Sequence, residues 1–430
     1  MPALRRYCAY KDAGLSKALA TIIFLSTLSG HLYSLSGENR VTHLPKSLDH
    51  EQIRRAYPVL QEVVYLNVGT YGLMPDPALA EFTEVLKEFE RAGAASKGDL
   101  GGKTTETRRH IAALVGAEPE EIAFTRNATD GINLALAGLD WRPSDEIITT
   151  SEEHEAIIHP LLYLQRYKGL KMRPVAVSPE AEVMLERLEK ALTDRTRLIA
   201  VSYVTCETRR PVREICRWAA SRGLLTLVDG AQASGVFPIN VREIGCDFYT
   251  SNGHKWLSGP KGTGFFYGQL RRLSDLHLAH VGAGSLERAD IATGTAIPWP
   301  NALRFEFGTR SWPLHIGLNA SLNWLEGWGW ANIYRHIANL SAYLKERILE
   351  RPFLSLLTPR GWEDSSGLTS FSVAGHAAGD VSRLLREKWH IYVRVVPHYN
   401  ALRISTAHFN NEADVDTLMA ALDEIGREHD

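Results

Sequence analysis

Cysteine is scarce in this chain. The four present, Cys8, Cys206, Cys216 and Cys246, are scattered and form no CxxC pair. That excludes a disulfide framework and a cysteine-rich zinc site. Net charge is also small: 48 Lys+Arg stand against 50 Asp+Glu, leaving a formal charge of -2. A balance this even argues against nucleic acid or an anionic membrane surface as the main partner. No uninterrupted apolar run is long enough to span a bilayer, which takes about 20 residues. The nearest approach, Ala18–Leu35, is broken by Ser26, Thr27, Ser29, Gly30 and His31. Internal repeats and low-complexity tracts are missing too. What remains is ordinary globular composition: 430 residues, 44% hydrophobic and 23% charged. Such a chain can bury a large core spread over about two to three domains.

The N-terminal stretch stands apart. Arg5, Arg6 and Lys11 precede the broken apolar run, and the arginine pair is followed by Tyr7-Cys8-Ala9. A basic stretch before an apolar one fits a secretory or twin-arginine signal. No small-x-small cleavage site follows, so a plain extension is the competing reading. The expected division is an N-terminal extension or targeting segment over 1–48, a large domain over 49–300 and a small domain over 301–430. The expected location is cytoplasmic, or exported if residues 1–37 act as a signal.

From about Asp49, short β-branched runs alternate with helical patterns. Strands are expected at Glu121–Thr125, Glu146–Thr150, Met172–Val177, Leu198–Val204, Leu224–Asp229, Asp247–Thr250 and Gly264–Gly268. Helices are expected at Thr104–Leu114, Asp130–Ala137, Ile157–Tyr167, Glu180–Leu192 and Val212–Ala220. This alternation predicts an α/β fold with a mainly parallel sheet covered on both faces. After Pro300 the texture changes to a smaller α+β domain. It comprises helices at His315–Trp328, Asn332–Arg351 and Glu412–Arg427, and strands at Thr369–Val373, Ile391–Val395 and Leu402–Ser405. Ligands of such sheets bind beyond the carboxyl ends of the strands, so residues just after a strand carry the most information.

Four such segments stand out. In Ser251-Asn252-Gly253-His254-Lys255-Trp256-Leu257, a lysine follows a strand among small residues. It can bond covalently to a carbonyl cofactor, or sit as a surface lysine on a tight turn, the role for which Lys261 is also a candidate. Asp229, in Leu227-Val228-Asp229-Gly230-Ala231-Gln232, ends an apolar strand. A carboxylate there can pair with a protonated pyridine nitrogen, cap a helix or bind a metal. Phe124-Thr125-Arg126-Asn127-Ala128-Thr129-Asp130-Gly131 runs from strand to helix, which makes either an anion site or a simple N-cap. His154, in Ser151-Glu152-Glu153-His154-Glu155, can stack on an aromatic ring or be a satisfied loop histidine. Around it no HxxH or HExxH spacing supports zinc, and no metal site is expected.

Together these residues resemble the class V aminotransferases, a family of pyridoxal-phosphate (PLP) enzymes. It includes cysteine desulfurases, selenocysteine lyases and isopenicillin N epimerase-like proteins. The resemblance covers roughly Tyr65 to the C-terminus and rests most on Asp229-x-x-Gln232 followed by His254-Lys255. The stretch Tyr249–Leu257 is closest to the epimerase-like branch. The resemblance implies the aspartate aminotransferase-like, fold type I architecture. It implies that Lys255 holds PLP and moves protons, that Asp229 faces the ring nitrogen and Gln232 the ring hydroxyl, and that His154 stacks on the ring. Ala128 and Thr129 would bind the phosphate with His254 and Ser251 or Asn252. Thr309, in Phe305-Glu306-Phe307-Gly308-Thr309, resembles the residue that reaches the phosphate of a neighbouring subunit. A homodimer with shared sites is therefore implied. Arg403 resembles the arginine that clamps the substrate carboxylate, a pairing suited to a planar guanidinium.

Two departures matter. Tyr203 stands where the family commonly has Asn or His. The segment Ile391–Arg403 contains no cysteine, whereas cysteine desulfurases carry a mobile cysteine there. The expected activity is thus a C–S lyase or epimerase-like reaction at the α-carbon of a small amino acid. Transamination, or desulfuration with a relocated nucleophile, are the alternatives within the family. A non-catalytic PLP-fold binding protein is the alternative outside it.

Overall fold

The computed structural model describes residues 48–205 and 208–427. The expected targeting segment up to residue 47, with Cys8, and also Cys206, lie outside the described residues. Seven strands build the main sheet: β1 (Ile122–Thr125), β2 (Glu146–Thr150), β3 (Lys171–Val175), β4 (Thr196–Ser202), β5 (Leu225–Asp229), β6 (Phe248–Asn252) and β7 (Gly264–Gly268). Their order is β1-β7-β6-β5-β4-β2-β3. Strand β7 runs antiparallel to both its neighbours, and all other pairs are parallel.

The apolar runs are continuous because both faces are buried. Their side chains still alternate. Ile122, Phe124, Ile199, Val201, Val228 and Tyr249 enter one core, while Ala123, Leu198, Ala200, Leu227 and Phe248 enter the other. The first core is closed by helices α2 (Lys97–Val115), α5 (Ala181–Ala191) and α6 (Val212–Ser221), through Ile111, Met184, Leu188, Ile215 and Ala219. The second is closed by α3 (Ala128–Gly138) and α4 (Glu155–Lys168), through Ile132, Leu136, Ile157 and Leu161. A preceding helix, α1 (Asp76–Ala92), had no counterpart in the sequence reading. It meets α2 and α7 (Trp312–Trp328) at a separate cluster of Val85, Leu100 and Ile316.

A second, antiparallel sheet follows: β8 (Leu354–Leu356), β9 (Leu368–Val373), β10 (Arg394–Val396) and β11 (Ala401–Ser405), in the order β8-β9-β11-β10. Phe371, Leu402 and Val395 form one cross-strand row. That row faces helices α8 (Trp330–Leu349), α9 (Ala378–Trp389) and α10 (Glu412–Arg427). By the two-residue period, the adjacent row of Ser370, Arg403 and Arg394 faces the other way.

The strand expected over Ile391–Val395 is in fact two. Ile391–Tyr392 pairs in parallel with Val64–Tyr65, and β10 pairs with β11. The change of partner leaves the alternating pattern intact, so the pattern does not reveal it. The exposed hairpin of Leu286–Asp290 and Thr295–Pro298 was also missed, since neither of its faces carries an apolar stripe.

Helix α3 lies unusually close to the sheet. A Cβ on Gly131 would fall 2.1 Å from Thr250 Oγ1. That hydroxyl is fixed by bonds to Phe265 O at 3.0 Å and Ala128 O at 3.2 Å. Alanine improves helix propensity by about 0.5–1 kcal/mol. Overpacking costs about 1–3 kcal/mol and prevails here. Gly131→Ala should therefore lower the melting temperature and weaken whatever binds at the helix start, both measurable by thermal denaturation with and without ligand.

Candidate active site

Parallel strands put their carboxyl ends on one edge, and there the candidate residues meet. Ser202 and Asp229, at the ends of β4 and β5, form a cross-strand row with Thr250 in the middle of β6. Asp229 is 4% exposed. Among the described residues its side chain accepts one hydrogen bond, from Ala231 N–H to Oδ1 at 2.9 Å. Burial pushes its carboxyl up to about 6, against the opposing pull of that N–H and of the Lys255 charge. A buried carboxylate with so little compensation calls for a cationic donor.

Lys255 lies in the turn after β6, and its charge is felt at both Asp229 and His154. His154 caps α4, with Nδ1 accepting from Ala156 N–H at 3.0 Å. The neutral ring must then carry its proton on Nε2. Burial, followed by the charges of Lys255, Arg403 and Arg394, pushes His154 down to about 4. The ring is neutral and the residue is exposed to solvent, which leaves a face open for stacking. Gln232 is oriented without ambiguity. The Trp256 indole N–H donates to its Oε1 at 2.8 Å, and its Nε2 donates to Gly69 O at 2.8 Å. One amide hydrogen is left for a ligand.

The start of α3 forms the other end of the site. Asn127 caps it by accepting from Asp130 N–H at 2.9 Å. Asn252 Oδ1 accepts from Ala128 N–H at 2.9 Å, tying the end of β6 to this helix. Ser251 donates to Gly230 O at 3.0 Å. Thr129 is exposed, and its amide and hydroxyl have no protein partner among the described residues. His254 Nδ1 lies 3.0 Å from Thr263 O, so Nδ1 carries the hydrogen and Nε2 is left over. Burial is the first cause lowering its pKa. Helix start and threonine together make an anion cradle, which His254 Nε2 joins as a donor once the ring is protonated.

Arg403, 7% exposed, donates to Thr70 Oγ1 at 3.2 Å. Thr70 belongs to a strap, residues 67–73, that the sequence reading passed over. Gly72 N–H donates to His254 O at 2.8 Å, and Lys261 Nζ donates to Gly72 O at 2.7 Å. A Cβ on Gly72 would stand 2.1 Å from Lys255 O. Lys261 is thus an anchor for the strap. The close pair of Gly69 and Gly72 was the available signal. A second missed group lies beneath the site: Arg210 and Glu153, fully buried and 3.6 Å apart. Arg210 also donates to Ser202 O at 2.9 Å and Thr150 Oγ1 at 2.8 Å, while Ser202 N–H donates to Glu153 at 2.9 Å. This network joins the ends of β2 and β4. Tyr203 packs edge-on to Phe237, with ring centroids 5.2 Å apart. Thr309 is exposed after Gly308, whose φ is 69°. Its segment is fastened to β1 by Glu306 and Arg310, which bond Phe124 N–H and O, each at 2.8 Å.

The family model for class-V aminotransferases matches residues 72–418. The chain belongs to the class-V aminotransferase family. It is 30% identical over 416 residues to a cysteine desulfurase of Cronobacter sakazakii, covering 89% of this chain and 99% of that protein. Among solved structures, it resembles the cystine C–S lyase C-DES in complex with its product cysteine persulfide. The TM-score is 0.79 at 27% identity, over 85% of this chain and 98% of that one. The cysteine desulfurase of Thermococcus onnurineus gives a TM-score of 0.80 at 26% identity, over 88% and 98%. The large mixed sheet, mostly parallel, is that of fold type I.

The chain is an enzyme of this family, and its cofactor is pyridoxal phosphate. The residues present fit that group. Among the described residues the buried Asp229 side chain accepts one hydrogen bond, so a protonated ring nitrogen would give it a cationic partner, and the α3 cradle would suit a phosphate. When the cofactor is bound, it acts as a sink for electrons leaving the α-carbon.

Asp229 makes a pH-dependent test possible. Its folded pKa of about 6 exceeds the unfolded value, so its favourable contribution is present below about pH 4 and lost as pH rises towards 6. In cofactor-free protein, Asp229→Asn should be the more stable form above pH 6, by up to about 3 kcal/mol, with the gap closing near pH 4. Added PLP should raise the melting temperature of the parent more than that of the variant, and turnover of the variant should be largely lost.

Proposed function

We propose that the enzyme is a C–S lyase acting on a β-thio-substituted amino acid without an enzyme thiol. One observation carries this reading. Strands β10 and β11 are joined by only four residues, Pro397–Asn400, none of them cysteine. This turn is also pinned. Asn400, at φ 46°, accepts from Ala378 N–H at 2.8 Å and donates to His376 O at 3.1 Å, which ties the turn to the start of α9. No mobile cysteine loop fits there. Cys216 and Cys246 are buried inside the sheet–helix core, and burial pushes both thiols up, Cys216 to about 12. A thiol that stays protonated is a poor nucleophile.

In this reading Arg403 fixes the α-carboxylate. Lys255 Nζ takes the α-proton, and Asp229 holds a proton at the ring nitrogen. The β-sulfur then leaves, and the remainder takes up water to give pyruvate and ammonia. An epimerase would use the same proton transfer at Lys255 and return the proton to the other face. Cys8→Ser/Cys206→Ser should therefore retain turnover of cystine and S-substituted cysteines, with pyruvate, ammonia and a thiol or persulfide in equal amounts. A trapped enzyme persulfide, with loss of activity on removing one cysteine, would restore a desulfurase. Racemised amino acid without pyruvate would make it an epimerase, and a keto acid from an unsubstituted amino acid would make it a transaminase.

The same reading includes a homodimer in which Thr309 meets the phosphate held by the partner. Phe307, Val281 and Ile297, all exposed, accompany Thr309 or the neighbouring hairpin and supply apolar surface for such a contact. Thr309→Ala should speed the loss of PLP on dialysis while sedimentation still reports a dimer; a fully active monomer contradicts the shared site.

A further inference from the structure

Trp256 follows Lys255 directly and is 3% exposed. A tryptophan this deep is ordinarily core, and it does pack in the first core. Two features set it apart. The backbone has been cleared around it: a Cβ on Gly367 would stand 2.8 Å from Trp256 Cη2, and one on Gly235 would stand 3.1 Å from Trp256 Cβ. Gly367 cannot retreat, because its carbonyl accepts from Thr406 N–H at 2.9 Å. The indole is therefore held at its outer edge and at its root. The N–H of this fixed ring is then given to a side chain, Gln232 Oε1 at 2.8 Å. An indole N–H only donates and a carbonyl oxygen only accepts. Trp256 and Gly69 O thus admit a single orientation of the Gln232 amide, with one hydrogen of Nε2 unshared.

Pyridoxal phosphate carries its hydroxyl on the edge that runs from the ring nitrogen to the aldehyde carbon, opposite the edge that bears the phosphate arm. Gln232 is in the turn that Asp229 begins and is bonded to the neighbour of Lys255, whereas the anion cradle belongs to α3. We infer that Trp256 is a positioning residue for the cofactor: it holds the Gln232 amide with its free N–H towards the ring oxygen, and so keeps that oxygen anionic. The inference rests on Asp229 and Lys255 as partners of the ring nitrogen and the aldehyde carbon. It does not rest on the lyase reading, since no substrate has to be turned over. An anionic oxygen that accepts a strong hydrogen bond is less basic, and so is the nitrogen through which Lys255 holds the cofactor. Trp256 exerts this effect through Gln232 alone.

The test is a double-mutant cycle on the PLP-loaded enzyme: parent, Trp256→Phe, Gln232→Leu and the two combined. The readouts are the pH midpoint of the absorbance change of the bound cofactor and the rate of PLP loss on dialysis. The charged and titratable groups around Lys255 — Asp229, His154, His254, Arg403, Arg394 and Lys261, with Arg210 and Glu153 beneath — are common to all four proteins and cancel. Trp256→Phe should raise the midpoint by about half to one pH unit and speed PLP loss about 3- to 10-fold, the effect of one lost hydrogen bond. Gln232→Leu should raise the midpoint at least as far. In that background Trp256→Phe should add less than about 0.3 unit, because its route is gone. Trp256→His loses the same packing but can place Nε2–H where the indole N–H stands, so it should recover part of the shift. A ring that matters only by its bulk would lower the melting temperature of the cofactor-free protein in both Gln232 backgrounds and leave the midpoint alone. An unmoved midpoint in Trp256→Phe or in Gln232→Leu, an equal shift in both backgrounds, or no recovery by histidine overturns the inference. Should the phenylalanine variant lose the cofactor outright, the histidine variant is compared with its own Gln232→Leu double. A midpoint near that of the parent, rising when Gln232 is removed, supports the inference; one already raised overturns it.

Discussion

The buried carboxylate of Asp229 is the constraint around which the site is organised. Desolvating it raises its pKa, and among the described residues it receives in return one backbone N–H bond, the Lys255 charge and, less, the Arg210 charge. The deficit is tolerable because the surrounding strands cannot move apart. Tyr203 N–H donates to Asp229 O at 2.8 Å, Gly230 N–H donates to Thr250 O at 2.8 Å, and Arg210 with Glu153 locks the next strand ends below. Taking Arg210 away would strand a buried carboxylate, a defect of about 3–5 kcal/mol. Rigidity here lets an unfavourable charge persist until a ligand compensates it.

The opposite end works by surplus. Helix α3 begins with donors at Thr129 that no described residue takes up, and His254 Nε2 is left over by the bond of Nδ1 to Thr263 O. His154, at the start of α4, is kept neutral by desolvation and by three cations. The three regions belong to β5, α3 and α4, which different strands of one sheet hold at fixed spacing. One element leaves a carboxylate short of a cation, another leaves donors short of an acceptor, and the third offers a flat face.

Much of this was legible in the sequence, for a simple reason. Strand ends in a parallel sheet are marked by an abrupt switch from apolar to polar, so Asp229, His154 and Lys255 could be located from their neighbours alone. Strands β2 and β7 match the expected bounds, as does helix α10. The features that escaped lack such a local mark. Helix α1 shows its apolar stripe only against α7, far along the chain. Gln232 looked like a ligand residue, but half of its hydrogen bonding goes to Trp256 and Gly69, partners that no spacing rule connects. Arg210 is one of two arginines before a proline, and only the fold shows it to be the more deeply buried. The split of Ile391–Val395 escaped because a strand can change partners without changing its pattern.

The strap over residues 67–73 has a temporal consequence. Gly69 N–H bonds Ser405 Oγ at 3.1 Å, a partner 336 residues further along the chain. Val64–Tyr65 likewise waits for Ile391–Tyr392. At about 5–20 residues per second, a ribosome needs about 20–70 s to travel from one to the other. Throughout that interval the main sheet can assemble from its own closely spaced strands, while the strap has nothing to close on. The roof of the site is therefore among the last parts to form, only once the tail of the chain has emerged.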